Sequence, residues 1–236
     1  MDFNDNTKEA EFRTKVRKFL DENAQRRGEV IKTPTTAGAP ESVSGEKAAN
    51  DALMKAKEWQ KKKAEAGLAA IIWPKEFGGY GGSPIEQVIY QQEEHNYFVH
   101  SGYFEIGIGM LGPTMMVWGK DEDKKKYLPK MLTGEEIWCQ LFSEPAAGSD
   151  LAGIKMKAEK DGSDWILNGQ KVWTSGAHLS DYGMIVARSD PNAVKHKGLT
   201  YFFLDMKTPG IEVKPIKQIS GTAHFNEVFF NDVRIP

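Results

Sequence analysis

The sequence predicts an α+β protein of two domains, an all-α N-terminal domain over residues 1–134 and an antiparallel β domain over residues 135–236. Before Gly134 the apolar residues recur at helical spacing, and after it they alternate or cluster as in strands. Two dipeptides in the second part, Asp161-Gly162 and Asn168-Gly169, are typical of hairpin turns. Many short strands joined by such turns favour an antiparallel barrel or sandwich.

The helices of the first domain are predicted from apolar stripes and from their start signals. The strongest start signal has Ser83 as N-cap, Pro84 at the first helical position and Glu86 three residues after the cap. Asp121 is the expected cap of the last helix. The polar segment over residues 24–45 is interpreted as a mobile loop. We expect helices over residues 9–20, 46–66, 84–97, 102–118 and 122–131.

The second domain is predicted to contain a series of short strands. Besides the strands that flank the two turns, we expect strands over residues 137–142, 184–189, 199–206, 211–216 and 225–230. The chain stops at Val233–Pro236, directly after the last strand, with nothing to cap the β domain. We therefore expect either a fragment of a longer protein or a chain whose missing part another chain supplies.

Composition narrows the class of protein. The 236 residues are 40% hydrophobic and 27% charged, which is typical of a soluble globular protein. A net charge of −2 gives no reason to expect nucleic acid or an anionic membrane surface as partner. No apolar run approaches the roughly 20 residues of a membrane span, and the acidic N-terminus is not a signal peptide. The single cysteine, Cys139, excludes an internal disulfide, so we expect a cytoplasmic protein. The five histidines show no metal-ligand spacing.

Two dense polar segments follow predicted strands and carry the strongest functional signal. In Phe142–Asp150, Ser143 and Ser149 bracket the small residues 146–148. Small residues let a ligand approach the backbone, and freed N–H groups can donate to the anionic edge of a ring. Lys171–Gly176 places a tryptophan and two hydroxyls at the end of another strand. These segments suit a flat, polar, aromatic ligand, although proline and glycine also form turns that have no function.

Phe142–Asp150 has the sequence Phe-Ser-Glu-Pro-Ala-Ala-Gly-Ser-Asp, which resembles the signature of the acyl-CoA dehydrogenase family nearly letter for letter. Three further segments resemble the same family: Trp118–Gly134, Trp165–Ser175 and Asn226–Pro236. The resemblance implies a helical N-terminal domain, an antiparallel β-barrel middle domain and a four-helix C-terminal domain, of which the first two are present. It also implies FAD as cofactor and an acyl-CoA thioester as substrate.

The resemblance implies a role for each matched residue. The expected cofactor-binding residues are Gln140, Leu141, Phe142, Ser143, Gly148, Ser149, Trp173, Thr174 and Ser175. The strand over residues 140–142 is expected beside the isoalloxazine ring, with the Ser143 hydroxyl near N1 and O2, where negative charge builds on reduction. Trp173 is expected to pack against the ring, and Ser175 to bond N5. Ser149 is also expected near the phosphopantetheine arm of the substrate.

The implied reaction is α,β-dehydrogenation of an acyl-CoA to the 2-enoyl-CoA, in which a base removes the α proton while flavin N5 accepts the β hydride. In the family the base is a glutamate of the C-terminal domain. No residue here matches it, Glu144 included, so no catalytic residue is assigned. We expect this chain to supply the part that binds flavin and thioester, to be inactive alone, and to hold FAD weakly or not at all. Electron-transfer flavoprotein is the expected acceptor, and a homo- or hetero-tetramer the complete assembly.

One segment departs from the family pattern. Gln218–Phe225 lacks the arginine of the Arg-x-Ser-x-Thr pattern that many members have. It resembles instead a bacterial branch with larger or unusual acyl groups, some of whose members form mixed tetramers. The acyl group of the substrate, including its chain length and branching, is therefore left open. Two alternative functions also stay open: a non-catalytic partner subunit of a mixed assembly, and a flavin oxidase or monooxygenase on the same fold.

Overall fold

The computed structural model describes residues 4–27 and 46–236, and the chain divides into two compact units, Met1–Glu135 and Glu136–Pro236. Most of the loop expected over residues 24–45 lies outside the described residues. No helix in the described ranges combines the length and the apolarity needed to cross a membrane. Nor do the described residues include three His, Cys, Asp or Glu side chains grouped as a metal site requires.

The first unit is helical, as the sequence predicts. Its α-helices are α1 (Thr7–Asn23), α2 (Glu46–Glu65), α3 (Pro84–Glu94), α4 (Gly112–Trp118) and α5 (Asp121–Thr133), and its short antiparallel ladder joins β1 (Gln25–Arg26) to β2 (Tyr97–Phe98). The core of this unit lies where α1 and α3 pack around Trp59 and the segment over residues 68–71.

The start of α3 confirms the predicted capping box. The hydroxyl of Ser83 accepts from the N–H of Glu86 at 3.2 Å, and the Glu86 carboxylate accepts from the N–H of Ser83 at 2.7 Å. The expected end is wrong by three residues: α3 stops at Glu94, because Tyr97 pairs with Arg26 in the β1–β2 ladder.

The expected cap of α5 is also wrong. The N-cap is Lys120, and Asp121 is the first helical residue. Asp121, Glu122 and Asp123 occupy the first turn, where carboxylates interact favourably with the positive end of the helix dipole. The acidic cluster therefore stabilises the helix start through charge rather than through a side-chain cap.

The helix expected over residues 102–118 is interrupted. A π-helical turn over Gly107–Leu111 precedes α4, and Pro113 contributes to the break because it has no N–H for an i→i−4 bond. The buried indole of Trp73 packs here and donates its N–H to the carbonyl of Ile108 at 2.8 Å. The ring lies so close to Gly112 that a Cβ there would overlap it.

Substituting Gly112 with alanine is expected to lower the free energy of unfolding by about 1–3 kcal/mol, because the new methyl group must displace the Trp73 ring. Gly109→Ala is the matched control. It lies one turn away, and a Cβ there meets no atom of the described residues within 4 Å. The control should be neutral or stabilising by up to about 1 kcal/mol. Urea denaturation of both variants checks the prediction, which fails if they are equally stable.

The second unit is built on a seven-stranded sheet. Its strands are β3 (Trp138–Leu141), β4 (Lys157–Asp161), β5 (Asp164–Ser175), β6 (Tyr182–Arg188), β7 (Leu199–Asp205), β8 (Ile211–Ile216) and β9 (Phe225–Ile235). One edge of β6 pairs with β7, and the other edge pairs first with β3 and then with β4. From β4 the sheet continues through β5 and β9 to β8.

The expectation of an antiparallel β-barrel is wrong in two respects. The sheet is mixed, since β3 and β4 run parallel to β6. It is also open, because no ladder joins the outer strands β7 and β8 in the part of the chain that the structure describes. The Asp161-Gly162 signal does make a tight antiparallel hairpin, between β4 and β5. Strand β3, in contrast, leaves through residues 142–156, a connection long enough to allow a parallel return.

The second expected hairpin, at Asn168-Gly169, is also wrong. Both residues lie inside β5, at a point where its pairing with β9 shifts register. The Asn168 side chain accepts from the N–H of Asp232 at 2.9 Å and donates to its carboxylate at 2.9 Å, so it bonds across the sheet rather than closing a turn. Gly169 has a φ of 147°, and a Cβ there would press on Met156. The glycine therefore serves a bulge.

The core of the second unit is formed by side chains that face one side of these strands. Among its buried members are Cys139, Leu141, Met156, Leu167, Ile185, Leu204, Val228 and Phe230. Complete burial raises the pKa of the Cys139 thiol to about 12. The thiol is therefore an unreactive part of the core.

Candidate functional site

The loop that follows β3 is a tight turn. The N–H groups of Glu144 and Ala147 each donate to the other residue's carbonyl, at 2.8 and 3.1 Å, with Pro145 and Ala146 at the corner. Beyond the turn Gly148 and Ser149 are exposed, and a Cβ at Gly148 would meet no atom of the described residues within 4 Å. The backbone here is thus open to a ligand.

A buried ion pair holds this loop. Lys171 of β5 is completely buried and donates to a Glu144 carboxylate oxygen at 2.9 Å. The same ammonium donates to the carbonyls of Phe142, at 3.0 Å, and Val186, at 2.8 Å. One lysine therefore bonds to the end of β3, to the loop after it and to β6.

Both oxygens of the Glu144 carboxylate are hydrogen-bonded. Besides Lys171 it accepts from the backbone N–H groups of Lys155, at 2.6 Å, and Met156, at 3.0 Å. Burial lowers the pKa of Lys171, while the hydrogen bond to Glu144 opposes that shift. A carboxylate that is buried and bonded in this way is a structural acceptor, with no oxygen directed to a substrate.

Trp173 has an unusual backbone conformation for its residue type. Its φ is 60°, in the left-handed region that large L-residues avoid. It lies in a bulge: Lys171 pairs with Val228 and Thr174 with Asn226, so two residues of β5 face one of β9.

The bulge turns the Trp173 side chain outward. The indole is 60% exposed and meets the ring of Phe225 edge-on, with centroids 6.2 Å apart. Strained backbone that exposes a large aromatic ring is a feature that binding sites retain at a cost in stability.

The next two residues differ in exposure. Thr174 is 2% exposed, and its hydroxyl has no hydrogen-bond partner among the described residues. Its carbonyl accepts from the side-chain amide of Asn226 at 2.9 Å, and that side chain also bonds His178 at 3.0 Å. Ser175 is exposed, at the end of β5. A buried hydroxyl with no partner is a position where a bound group can add a hydrogen bond.

The two predicted segments lie side by side in the structure. The N–H of Val172 donates to the carbonyl of Ser143 at 2.9 Å, directly before Trp173 in the chain. Ser143 and Phe142 are half-buried at the start of the loop, and Gln140 is half-buried in β3. Leu141 faces the core, so only its backbone is available to a ligand. Strand β3 pairs with β6 along one edge, and no strand in the described ranges pairs along its other edge.

Sequence reasoning missed the elements that support the site. It did not pair Glu144 with Lys171, because successive side chains of a strand point to opposite faces, and a lysine directly before a buried valine is expected on the solvent side. It also missed Arg188, whose guanidinium donates to the carbonyls of Ala152, at 2.6 Å, and Ile154, at 3.0 Å. Arg188 thereby ties the far end of the loop to β6.

A helical unit followed by this open mixed sheet is the fold of the acyl-CoA dehydrogenases. The family model described as "Acyl-CoA dehydrogenase, N-terminal domain" matches residues 6–135, and the one described as "Acyl-CoA dehydrogenase, middle domain" matches residues 139–233. The chain belongs to the acyl-CoA dehydrogenase family, whose members are flavoprotein oxidoreductases.

Individual relatives are consistent with this family assignment. The acyl-CoA dehydrogenase IpdE1 of Mycobacterium tuberculosis is 39% identical over 95% of this chain and 56% of its own length. The solved structure described as "Tcur3481-Tcur3483 steroid ACAD" has a TM-score of 0.77 at 29% identity, covering all of this chain and 57% of its own. The ChsE4-ChsE5 complex of M. tuberculosis has a TM-score of 0.76 at 28% identity, covering all of this chain and 56% of its own. The chain thus spans little more than half the length of these relatives.

Proposed function

We propose that residues 1–236 form the FAD- and thioester-binding part of an acyl-CoA dehydrogenase that converts an acyl-CoA to its 2-enoyl-CoA. The observation that carries the proposal is Trp173, an exposed indole held at positive φ directly beside the Ser143 loop. A flat hydrophobic ring next to hydroxyl and amide donors matches the two sides of an isoalloxazine, one apolar and one hydrogen-bonding.

Three observations support a fit to FAD: the exposed indole, the unpartnered hydroxyl of Thr174, and the open backbone at Gly148. When bound, FAD supplies the acceptor for the hydride that leaves the β carbon. In the proposal Ser143 donates a hydrogen bond to the pyrimidine edge, and Ser175 donates to N5. Ser149 interacts with the phosphopantetheine arm of the acyl-CoA.

The base that removes the α proton comes, in this proposal, from outside residues 1–236. Glu144 is a carboxylate inside the proposed flavin loop. Its contacts with Lys171, Lys155 and Met156 exclude it as the base. A general base must reach the proton that it abstracts, and this carboxylate is buried with both of its oxygens hydrogen-bonded within the protein. Electron-transfer flavoprotein is the proposed acceptor of the electrons.

A partner subunit without catalytic activity is the second candidate. The observation that favours it is that two of the similar solved structures are named as pairs of different chains, Tcur3481-Tcur3483 and ChsE4-ChsE5. Under this hypothesis the chain keeps the fold so that it assembles with an active subunit into a hetero-tetramer. Both proposed functions place the flavin on the same sheet. They differ in whether the flavin that this chain binds reacts with a substrate.

The test uses protein expressed from the whole reading frame, together with any subunit that copurifies. We expect it to bind FAD, and acyl-CoA thioesters added without oxygen to bleach the visible flavin absorbance while enoyl-CoA forms. FAD that acyl-CoA reduces in the copurified assembly, but not when this chain is purified without the other subunit, supports the partner subunit. If air is admitted and hydrogen peroxide forms in proportion to the substrate that is consumed, the result supports an oxidase. Failure to bind FAD contradicts the proposal.

A further inference from the structure

We propose that the Glu144–Lys171 ion pair is a positioning device that sets the location of the Ser143 loop relative to Trp173, and thereby the environment of the bound flavin. The inference rests on the proposed function, because it concerns the same site. Neither residue contacts a ligand in this proposal: both are buried and act through the backbone that they hold.

The two segments of the site are connected by hydrogen bonds and not by a strand ladder. Strands β3 and β5 do not pair with each other in the described sheet. Three polar contacts join the segment directly after β3 to β5 instead: Lys171 to the carbonyl of Phe142, Lys171 to the carboxylate of Glu144, and the N–H of Val172 to the carbonyl of Ser143. Two of these three come from one ammonium group.

Lys171 is positioned to act on both segments of the site. It lies two residues before Trp173, at the last paired position before the bulge. The carbonyl of Phe142 that it binds lies one residue before Ser143. A shift of the ammonium is therefore transmitted at once to both segments, one carrying the exposed indole and the other the hydroxyl.

A buried ion pair costs so much desolvation that apolar residues of similar volume are often as stabilising. Apolar side chains could fill this space, but they could not bond the carbonyls of Phe142 and Val186 or the N–H groups of Lys155 and Met156. Beyond packing, the pair fixes the relative positions of these three backbone segments, because hydrogen bonds have a defined geometry.

The experiment compares wild type, Lys171→Met and Glu144→Gln, each expressed from the whole reading frame with any copurifying subunit. Lys157→Met, which removes an exposed strand lysine, is the control. The FAD dissociation constant is measured by titration, and the visible circular dichroism of the flavin is recorded at saturating FAD. The dichroism reports the surroundings of the ring and does not respond to a change in global stability alone.

We expect Lys171→Met to raise the FAD dissociation constant at least about 10-fold and to change the visible dichroism, because small displacements of positioning groups have large effects. Glu144→Gln keeps the size of the side chain and should show a smaller change in the same direction. Lys157→Met should match wild type.

The outcomes separate the two proposals. Wild type that binds no FAD overturns the proposed function, and the positioning role with it. Wild type that binds FAD, with a folded Lys171→Met of unchanged affinity and dichroism, overturns the positioning role alone. If Lys171→Met does not fold, Glu144→Gln decides: unchanged affinity and dichroism in that variant overturn the role as well.

Discussion

Replacing Lys171 with methionine is expected to lower the free energy of unfolding by about 3–5 kcal/mol, because the change leaves a buried carboxylate without its cation. The carbonyls of Phe142 and Val186 lose their donor at the same time, and each buried polar group left unpaired adds to the loss. Methionine has nearly the length of lysine, so a cavity contributes little.

Urea denaturation of the wild type and the variant measures this difference. The control is again Lys157→Met, at an exposed position of β4, which should change stability by no more than about 0.5 kcal/mol. Equal effects of the two substitutions would contradict a special role for the buried lysine.

A double-mutant cycle with Glu144→Gln isolates the interaction. Once Lys171 has been replaced by methionine, removing the charge of Glu144 should cost much less than it does in the wild type. We expect a coupling energy of about 1–3 kcal/mol, since the two side chains bond directly. Additive effects would mean that the loss arises from packing and not from the pair.

Substitutions of Trp173 are expected to change the stability of the protein and its affinity for FAD in different ways. Because its φ of 60° strains an L-residue, Trp173→Gly should be more stable than Trp173→Ala by about 1–2 kcal/mol. Both variants lack the indole, so both should bind FAD about 10–100-fold more weakly than wild type, by loss of an aromatic surface. If both effects are found, wild type keeps a strained residue at this position because the residue contributes to binding.

Thermal or urea denaturation without FAD measures the first effect, and FAD titration measures the second. Trp173→Asn is a useful third variant, because asparagine tolerates positive φ better than alanine does and also lacks the ring. Its stability should fall between those of the alanine and glycine variants. Undiminished FAD affinity in all three variants would remove Trp173 from the proposed site.

Much of the fold could be predicted from local patterns. The apolar stripe of α1 and the capping box of α3 act within a few residues, so a single sequence contains the whole cause. The turn at Asp161-Gly162 is equally local. The errors lie where contacts with distant residues override the local pattern. Tyr97 pairs with Arg26 in a strand instead of extending α3, and Asn168 bonds Asp232 instead of closing a turn.

For the site, local sequence patterns located the segments but not their support. The hydroxyls and the tryptophan belong to two short continuous segments, so the order of residues within each segment was enough to select them. The roles of Ser143, Ser149, Trp173 and Ser175 toward FAD and thioester stay predictions until the binding experiments are done. The contacts of Glu144 with Lys171 could not be predicted, because they join residues from different strands whose register depends on the whole sheet.

The Phe142–Asp150 run and its companion at Lys171–Gly176 by themselves determined the family and the two segments of the proposed site. Only the tertiary structure decided that β3 lies parallel to β6 and that one buried lysine joins both segments. It also decided that Trp173 lies exposed in a bulge. The physical reason is that the local sequence specifies which side chains are present, whereas strand register, burial and backbone strain depend on contacts between distant residues.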